Sequence, residues 1–271
     1  MLSRFLIFLC DVSPAARRFL WRWWYEKWAR KVESGDWTFM NYGLDLPPGA
    51  EPLVLEPGDE PDRYCAQLYH RTALPGNLSG KDVLEVGSGR GGGASFVARY
   101  HRPASMTGVD FSPQAVALSN ARRQVPGLKF LTGDAEKLPF PDQSFDAVIN
   151  VESSHCYGSM AAFVREAARV LRPGGFFLIS DLREASEMPE LETLLASQPA
   201  LEVMENEDIT ALVEKSLTLD HSRKQALIAT LIPAGQRALF EEFAGLAGSK
   251  IHRGLSGRTL LYHRFVLRKK A

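Results

Sequence analysis

The sequence predicts an α/β fold built on a parallel, doubly wound sheet, and three observations predict it. Five short apolar runs rich in β-branched residues alternate with helical segments between residues 82 and 181. The first run, Val83-Leu84-Glu85-Val86, breaks into the cluster Gly87-Ser88-Gly89-Arg90-Gly91-Gly92-Gly93, and a helix follows over Ala94 to Tyr100. Strand, glycine bend and helix N-terminus in succession bring backbone N–H groups close to a ligand. Acids fall at corresponding ends of three successive runs: Glu85, Asp110 and Asp134.

The elements follow in order. All five tryptophans lie early, at Trp21, Trp23, Trp24, Trp28 and Trp37. On a helix starting near Pro14, Leu20, Trp21, Trp24, Trp28 and Val32 share one face, and Arg18, Arg22, Glu26 and Arg30 the other. Such a face packs over the domain or covers an active site, because tryptophan buries well anywhere. Basic charge beside aromatics also suits peripheral contact of residues 15–32 with a membrane surface. The proline- and glycine-rich stretch 43–62 reads as a linker. It divides an N-terminal cap and linker, 1–62, from a main domain, 63–271.

Tyr64 to Thr72 reads as a helix ended by Leu74-Pro75-Gly76-Asn77, with Arg71 either a surface residue or within reach of a carboxylate near the site. Met106 to Asp110 is the second strand, and Ser112-Pro113 supplies the N-cap and first-turn proline of the next helix. Leu128 to Leu131 is the third strand, followed by Gly133-Asp134-Ala135-Glu136. Asp142 and Asp146 fix the turn into the fourth, Phe145 to Asn150. An amphipathic helix over Ala161 to Leu171 stops at Arg172-Pro173-Gly174-Gly175. The fifth strand, Phe176 to Ser180, ends at Asp181. Residues 188–247 read as a helical lid insertion with no clear strand. Lys250 to Gly254 and Thr259 to Arg268 read as a closing hairpin around Ser256-Gly257.

Composition narrows the function. Thirty-two basic residues balance thirty-two acidic ones, which excludes a dedicated nucleic-acid binder. Cys10, Cys65 and Cys156 are too few and too scattered for a disulfide framework or a metal cluster. A reducing, cytoplasmic setting is expected, with peripheral membrane association through residues 15–32 as the alternative to a helix that packs on the domain. No apolar run reaches the length of a membrane span.

The three acids select the ligand. Asp110 lies 19 residues after Gly91, the distance at which an acid takes ribose hydroxyls. That much also fits a dinucleotide enzyme. Asp134 lies outside the dinucleotide pattern. An acid after the third strand accepts from the exocyclic amine of adenine while the adjacent backbone N–H reads the ring. Together they specify an adenosyl ligand without demanding a pyrophosphate.

Glu85-Val-Gly-Ser-Gly-Arg-Gly91, Val109-Asp110-Phe111-Ser112, Gly133 to Phe140 and Leu171 to Gly175 resemble, in order and spacing, the motifs of class I S-adenosylmethionine-dependent methyltransferases. The resemblance implies a Rossmann-like fold with a seven-stranded, mostly parallel sheet and an antiparallel last strand. It implies S-adenosylmethionine as cofactor and S-adenosylhomocysteine as product. The cofactor residues it implies are Glu85, Gly87, Ser88, Gly89 and Gly91 of the bend; Asp110 and Phe111; Asp134 and Ala135; Asn150 and Val151. A narrower resemblance rests on Tyr69 to Ala73, Arg90 to Ser95 and Asn150 to Tyr157. These are similar to phthiotriolone/phenolphthiotriolone dimycocerosate methyltransferases and fatty-acid O-methyltransferases. It implies a hydrophobic acceptor, methylated on a hydroxyl or carboxyl oxygen.

Methyl transfer is an in-line displacement in which the protein supplies alignment and, where needed, a base. An aliphatic alcohol, with a pKa near that of water at about 16, must lose its proton during attack. A phenol, at about 10, needs less help, and a carboxylate only positioning. His155 follows the fourth strand at the mouth of the crevice, with a pKa suited to general base work. It either acts as base or orients the acceptor. Glu152, three residues earlier, either orients His155 or contacts the cofactor. His252 and His263 are weaker candidates. The rival functions are C-methylation of a sterol- or quinone-like substrate, nicotinamide-dependent oxidoreduction, and a non-catalytic cofactor-binding, membrane-associated role.

Overall fold

The computed structural model describes residues 37–271. The tryptophan-rich helix and the membrane contact expected of residues 15–32 lie outside them, as does most of the cap.

The elements are α1 (Arg63–Ala73), β1 (Asp82–Val86), α2 (Gly92–Tyr100), β2 (Ser105–Asp110), α3 (Pro113–Arg122), β3 (Leu128–Thr132), β4 (Phe145–Val151), α4 (Met160–Val170) and β5 (Leu171–Glu184). Then come α5 (Met188–Ser197), β6 (Leu201–Asp208), α6 (Thr210–Leu219), α7 (His221–Leu231), α8 (Arg237–Phe243), α9 (Lys250–Ser256) and β7 (Leu260–Lys269). The strands form one sheet in the order β3-β2-β1-β4-β5-β7-β6. β7 runs antiparallel to both its neighbours and the other pairings are parallel. Strand order reverses between β1 and β4, which places the ligand crevice at their carboxyl ends.

Side-chain alternation sorts the core into two layers. Val83, Ala147, Ile149 and Leu178 pack on one face under α1 and α2. Leu84, Val86, Val148, Phe177 and Ile179 pack on the other around Phe163 of α4. The insertion has a small core of its own, Ile228, Ile232, Phe240, Ala244 and Leu246, against which Trp37 packs edge-on. Ser112 and Ser159 cap α3 and α4 by accepting from Ala115 and Ala162 amides. Asp146 takes the Asp82 amide and, with Asp82, pairs with Arg172. These contacts clamp the amino ends of β1, β4 and β5.

Two expectations are corrected. The stretch 188–247 is not wholly helical, because β6 lies inside it. Of its eight residues only Leu201 is buried, and Met204 sits at a register shift against β7. An exposed edge strand with four acids carries none of the alternation that marks a half-buried one. Lys250 to Gly254 is not a strand but the start of α9. Ser249 caps it by accepting from the His252 amide, and Ile251 and Leu255 share a face at helical spacing. The closing hairpin therefore does not exist, and β7 pairs instead with β5 and β6.

Arg71 is not a lone surface residue. It donates twice to Glu207 of β6 (2.8 and 2.9 Å), and Arg264 of β7, 3% exposed, donates to the same carboxylate and to Glu205. Despite partial burial, the two arginines hold the Glu207 pKa below its ordinary value. Glu207→Ala should destabilise the fold by about 2 kcal/mol, less than the 3–5 of a fully buried pair because Glu207 is part exposed. The pair is complete above the ordinary glutamate range and is lost as pH falls through the lowered pKa, so urea unfolding should show the difference at pH 7 and a smaller one in acid.

Candidate active site

The cleft is built from the end of β1 outward. Gly87, Gly89 and Gly91 have φ of +79°, +51° and +75°, a conformation that side chains resist. The Gly87 and Ser88 amides both donate to the Val109 carbonyl, at 2.8 and 3.0 Å, which ties the bend to β2. The next residue, Asp110, takes the Gly89 amide at Oδ2 and the Ser112 amide at Oδ1. Burial raises the Asp110 pKa against those two amides. On the far side Asp134 turns its own loop by accepting from the Glu136 amide, and Glu136 accepts from Gly158 and Ser159 at the start of α4.

Of the residues expected at the site, Gly87, Ser88, Gly89, Asp110, Phe111, Asp134, Ala135, Val151 and Glu152 line one cleft. Glu85, Gly91, Asn150 and His155 are not in its wall. Alternation explains two of these. Glu85 shares the Val83 face of β1 and so points beneath α1, where Tyr69 donates to its Oε1 at 2.6 Å. Asn150 faces the opposite layer and donates to the Val86 carbonyl, Ser153 and Tyr157. Both brace the bend from behind. Gly93 permits the Tyr69 approach, since a Cβ there would strike the phenol ring.

Sequence reasoning missed the roof. Thr38, Phe39, Met40 and Asn41 cross the top of the cleft as a strap, and Tyr69, Cys156 and Tyr157 add to its walls. The strap has no pattern of its own. The Tyr42 amide after it donates to Glu152 Oε2, and its carbonyl accepts from Ser216 and Lys224 of the insertion.

His155 and Glu152 are not partners. His155 Nδ1 and its backbone amide bond to Asp181, at 2.8 and 3.0 Å. Asp181 is fully buried and also holds Ser154, the Leu182 amide and Arg183. Burial opposes the charged imidazole, but Cys156 and Asp181 outweigh it and hold the His155 pKa well above its ordinary value. Burial likewise works against the Asp181 carboxylate, and His155 and Arg183 reverse it. The pair is an ion pair at neutral pH. The signal available was the acid that follows the apolar run Phe176 to Ser180. Burial pushes the Glu85 pKa up to about 7 and that of Glu152 up to about 8.

A family model described as a methyltransferase domain matches residues 84–179. Over 250 residues the chain is 41% identical to the phthiotriol/phenolphthiotriol dimycocerosates methyltransferase of Mycobacterium leprae, covering 92% of each. The chain belongs to the S-adenosylmethionine-dependent methyltransferases. This methyltransferase is also 41% identical, over 219 residues, to the fatty-acid O-methyltransferase of Mycolicibacterium smegmatis, covering 81% of its own length and 79% of the relative's. Among solved structures, the [4+2]-cyclase SpnF superposes with a TM-score of 0.67 at 22% identity, over 91% of this chain and 93% of the other, which shows a shared fold.

The cleft fits S-adenosylmethionine. The Ser88 hydroxyl is buried in its wall with no hydrogen-bond partner. A Cβ on Gly89 would stand in space otherwise bounded only by Met40 at 3.8 Å. The acids Asp110, Asp134, Glu136 and Glu152 suit a cationic guest. The cofactor supplies an electrophilic methyl on a sulfonium.

Replacing Asp110 or Asp134 by Ala should weaken cofactor binding about tenfold or more, the worth of a hydrogen bond to a charged group. Unchanged calorimetric affinity would move the nucleoside elsewhere. Gly93→Ala should push Tyr69 off Glu85 and destabilise by about 1–3 kcal/mol, as overpacking does. Thermal and urea unfolding would measure it.

Proposed function

We propose that this methyltransferase transfers the methyl to a hydroxyl or carboxyl oxygen of a hydrophobic, lipid- or polyketide-like acceptor. The observation that carries this is the His155–Asp181 ion pair beside the cofactor cleft, a fixed positive charge where an oxygen acceptor has to be oriented. The imidazole side chain is 31% exposed, whereas its carboxylate partner is sealed. Cys156 and Tyr157 of the same turn face the cleft, which keeps His155 at its edge.

The relatives' names support an oily acceptor, one for phthiotriol lipids and one for fatty acids. The insertion 188–247 serves as the lid in this reading. The cap 1–62 contributes the strap, and its residues 15–32 are assigned to contact with a lipid surface from the cytoplasmic side. No helix among the described residues is long and apolar enough to cross a membrane.

Because His155 already holds a proton at neutral pH, the reading gives it the positioning role. A cation orients a carboxylate directly and donates to a hydroxyl oxygen. His155→Ala should then lower kcat/KM about tenfold or more, with cofactor affinity within about twofold. Wild-type activity should fall as pH rises through the raised imidazole pKa. A rate that instead climbs through that pKa would make His155 a base. Labelled-methyl transfer against fatty acids, polyketides, phenols and sterols, with products resolved by NMR, tests the acceptor. A new carbon–carbon bond in the product would replace this reading with C-methylation.

A further inference from the structure

Glu152 is held in a strained arrangement at the end of β4. Its φ is +50°, a left-handed conformation that costs a residue with a side chain roughly 1–2 kcal/mol. Glu152 lines the cleft, and its carboxyl bonds to Tyr42 and Tyr262 and not to His155. Strain of this kind gathers where a side chain must be aimed.

The carboxyl meets neutral donors. Its Oε2 accepts from the Tyr42 amide at 2.9 Å and from the Tyr262 hydroxyl at 3.0 Å. Two opposite charges reach it from the neighbouring turn and from β5. His155 favours the ionised form and Asp181 opposes it. From α1, Tyr69 feels the Glu152 charge. From α7, Lys224 stops at the Tyr42 carbonyl, one peptide away. Among the described residues no cation bonds to the carboxyl itself. Burial dominates and pushes the Glu152 pKa up to about 8, so without a cation beside it the carboxyl is mostly protonated at pH 7.

We propose that Glu152 is the counter-charge of the cofactor: it gives up its proton when the sulfonium enters the cleft and regains one when methyl transfer leaves a neutral thioether. The inference rests on the family's use of S-adenosylmethionine. Donor and product both carry the amino-acid ammonium and carboxylate, so they differ at this carboxyl by one positive charge. With a hydroxyl acceptor, Glu152 takes the proton that the acceptor loses as its oxygen lone pair bonds the methyl carbon and the carbon–sulfur pair returns to sulfur. One positive and one negative charge then vanish together, and the buried site never holds a net charge. This gives Glu152 a catalytic role separate from the positioning by His155.

The test is calorimetric titration of the full chain with S-adenosylmethionine and with S-adenosylhomocysteine, from pH 6.5 to 9, in phosphate and in Tris. The two buffers differ in ionisation heat and so reveal protons released. At pH 7 the methyl donor should release up to about one proton more than the product. Its affinity relative to the product should rise with pH, by at most about tenfold per pH unit, and level off above about 8. Glu152→Gln, which keeps acceptors for Tyr42 and Tyr262, should bind both ligands and abolish the difference. Tyr262→Phe removes a donor that favours the ionised carboxyl, so its plateau should move to higher pH. Equal proton counts for the two ligands in the wild type, or a difference that survives in Glu152→Gln, would overturn the inference. Failure of both ligands to bind the wild type would overturn the cofactor assignment beneath it.

Discussion

One carbonyl oxygen holds the cleft together. Val109 O, at the end of β2, accepts from both Gly87 and Ser88. The bond pair fixes where β1 stops being a strand and in which direction the bend leaves it. Asp110 follows at once and seizes the Gly89 amide, so β2 contributes both the anchor of the bend and the acid beside it. This works only because β1 and β2 pair in register, Val86 opposite Val109. A slip of one residue would turn Asp110 to the other face and separate it from Gly89.

The same geometry explains a buried surplus of acid. Glu85 and Glu152 lie at the ends of two central strands, the first fully buried and the second partly buried, and each accepts from a tyrosine brought in by another element. Each raised pKa marks a carboxyl whose ionisation destabilises the empty fold. Below the ordinary glutamate range both states are protonated and nothing is lost. As pH rises from there through the raised values, the unfolded chain ionises first and stability falls. Net stability of a domain is small, so two such groups are not neutral features. Of the two, only Glu152 lines the cleft, where a cationic guest would favour its ionised form.

The central sheet was legible because each of its signals is local. The apolar runs of β1, β2, β3 and β4, the Ser112 cap and the Gly87-to-Gly91 bend are all set by residues adjacent in the chain. Asp110 and Asp134 could be placed because a strand end is a position in sequence as well as in space. Arg172 and Asp146 show the limit of motif reading: both sit in or near recognisable patterns, yet they clamp the far end of the sheet. The partner of His155 was not legible. Glu152 is closer along the chain, but its left-handed backbone aims it elsewhere, and Asp181 arrives from β5 through strand pairing. β6 escaped because an edge strand exposed on both faces has no apolar period to display.

The two carboxyl–tyrosine pairs differ in one respect that fixes their tasks. Glu85 sits on the side of β1 that α1 covers, so its charge reaches the cleft only through the bend it braces. Glu152 comes one residue after β4 ends, past the last strand position that alternation could assign to a layer. A residue there owes its direction to its own φ and to what holds it. Those holders are the Tyr42 amide, on the strap that roofs the cleft, and Tyr262, on the strand that closes the sheet. The strap is in turn fastened to the insertion through the Tyr42 carbonyl. Tyr42 therefore links Glu152, through its amide, to the insertion 188–247, through its carbonyl.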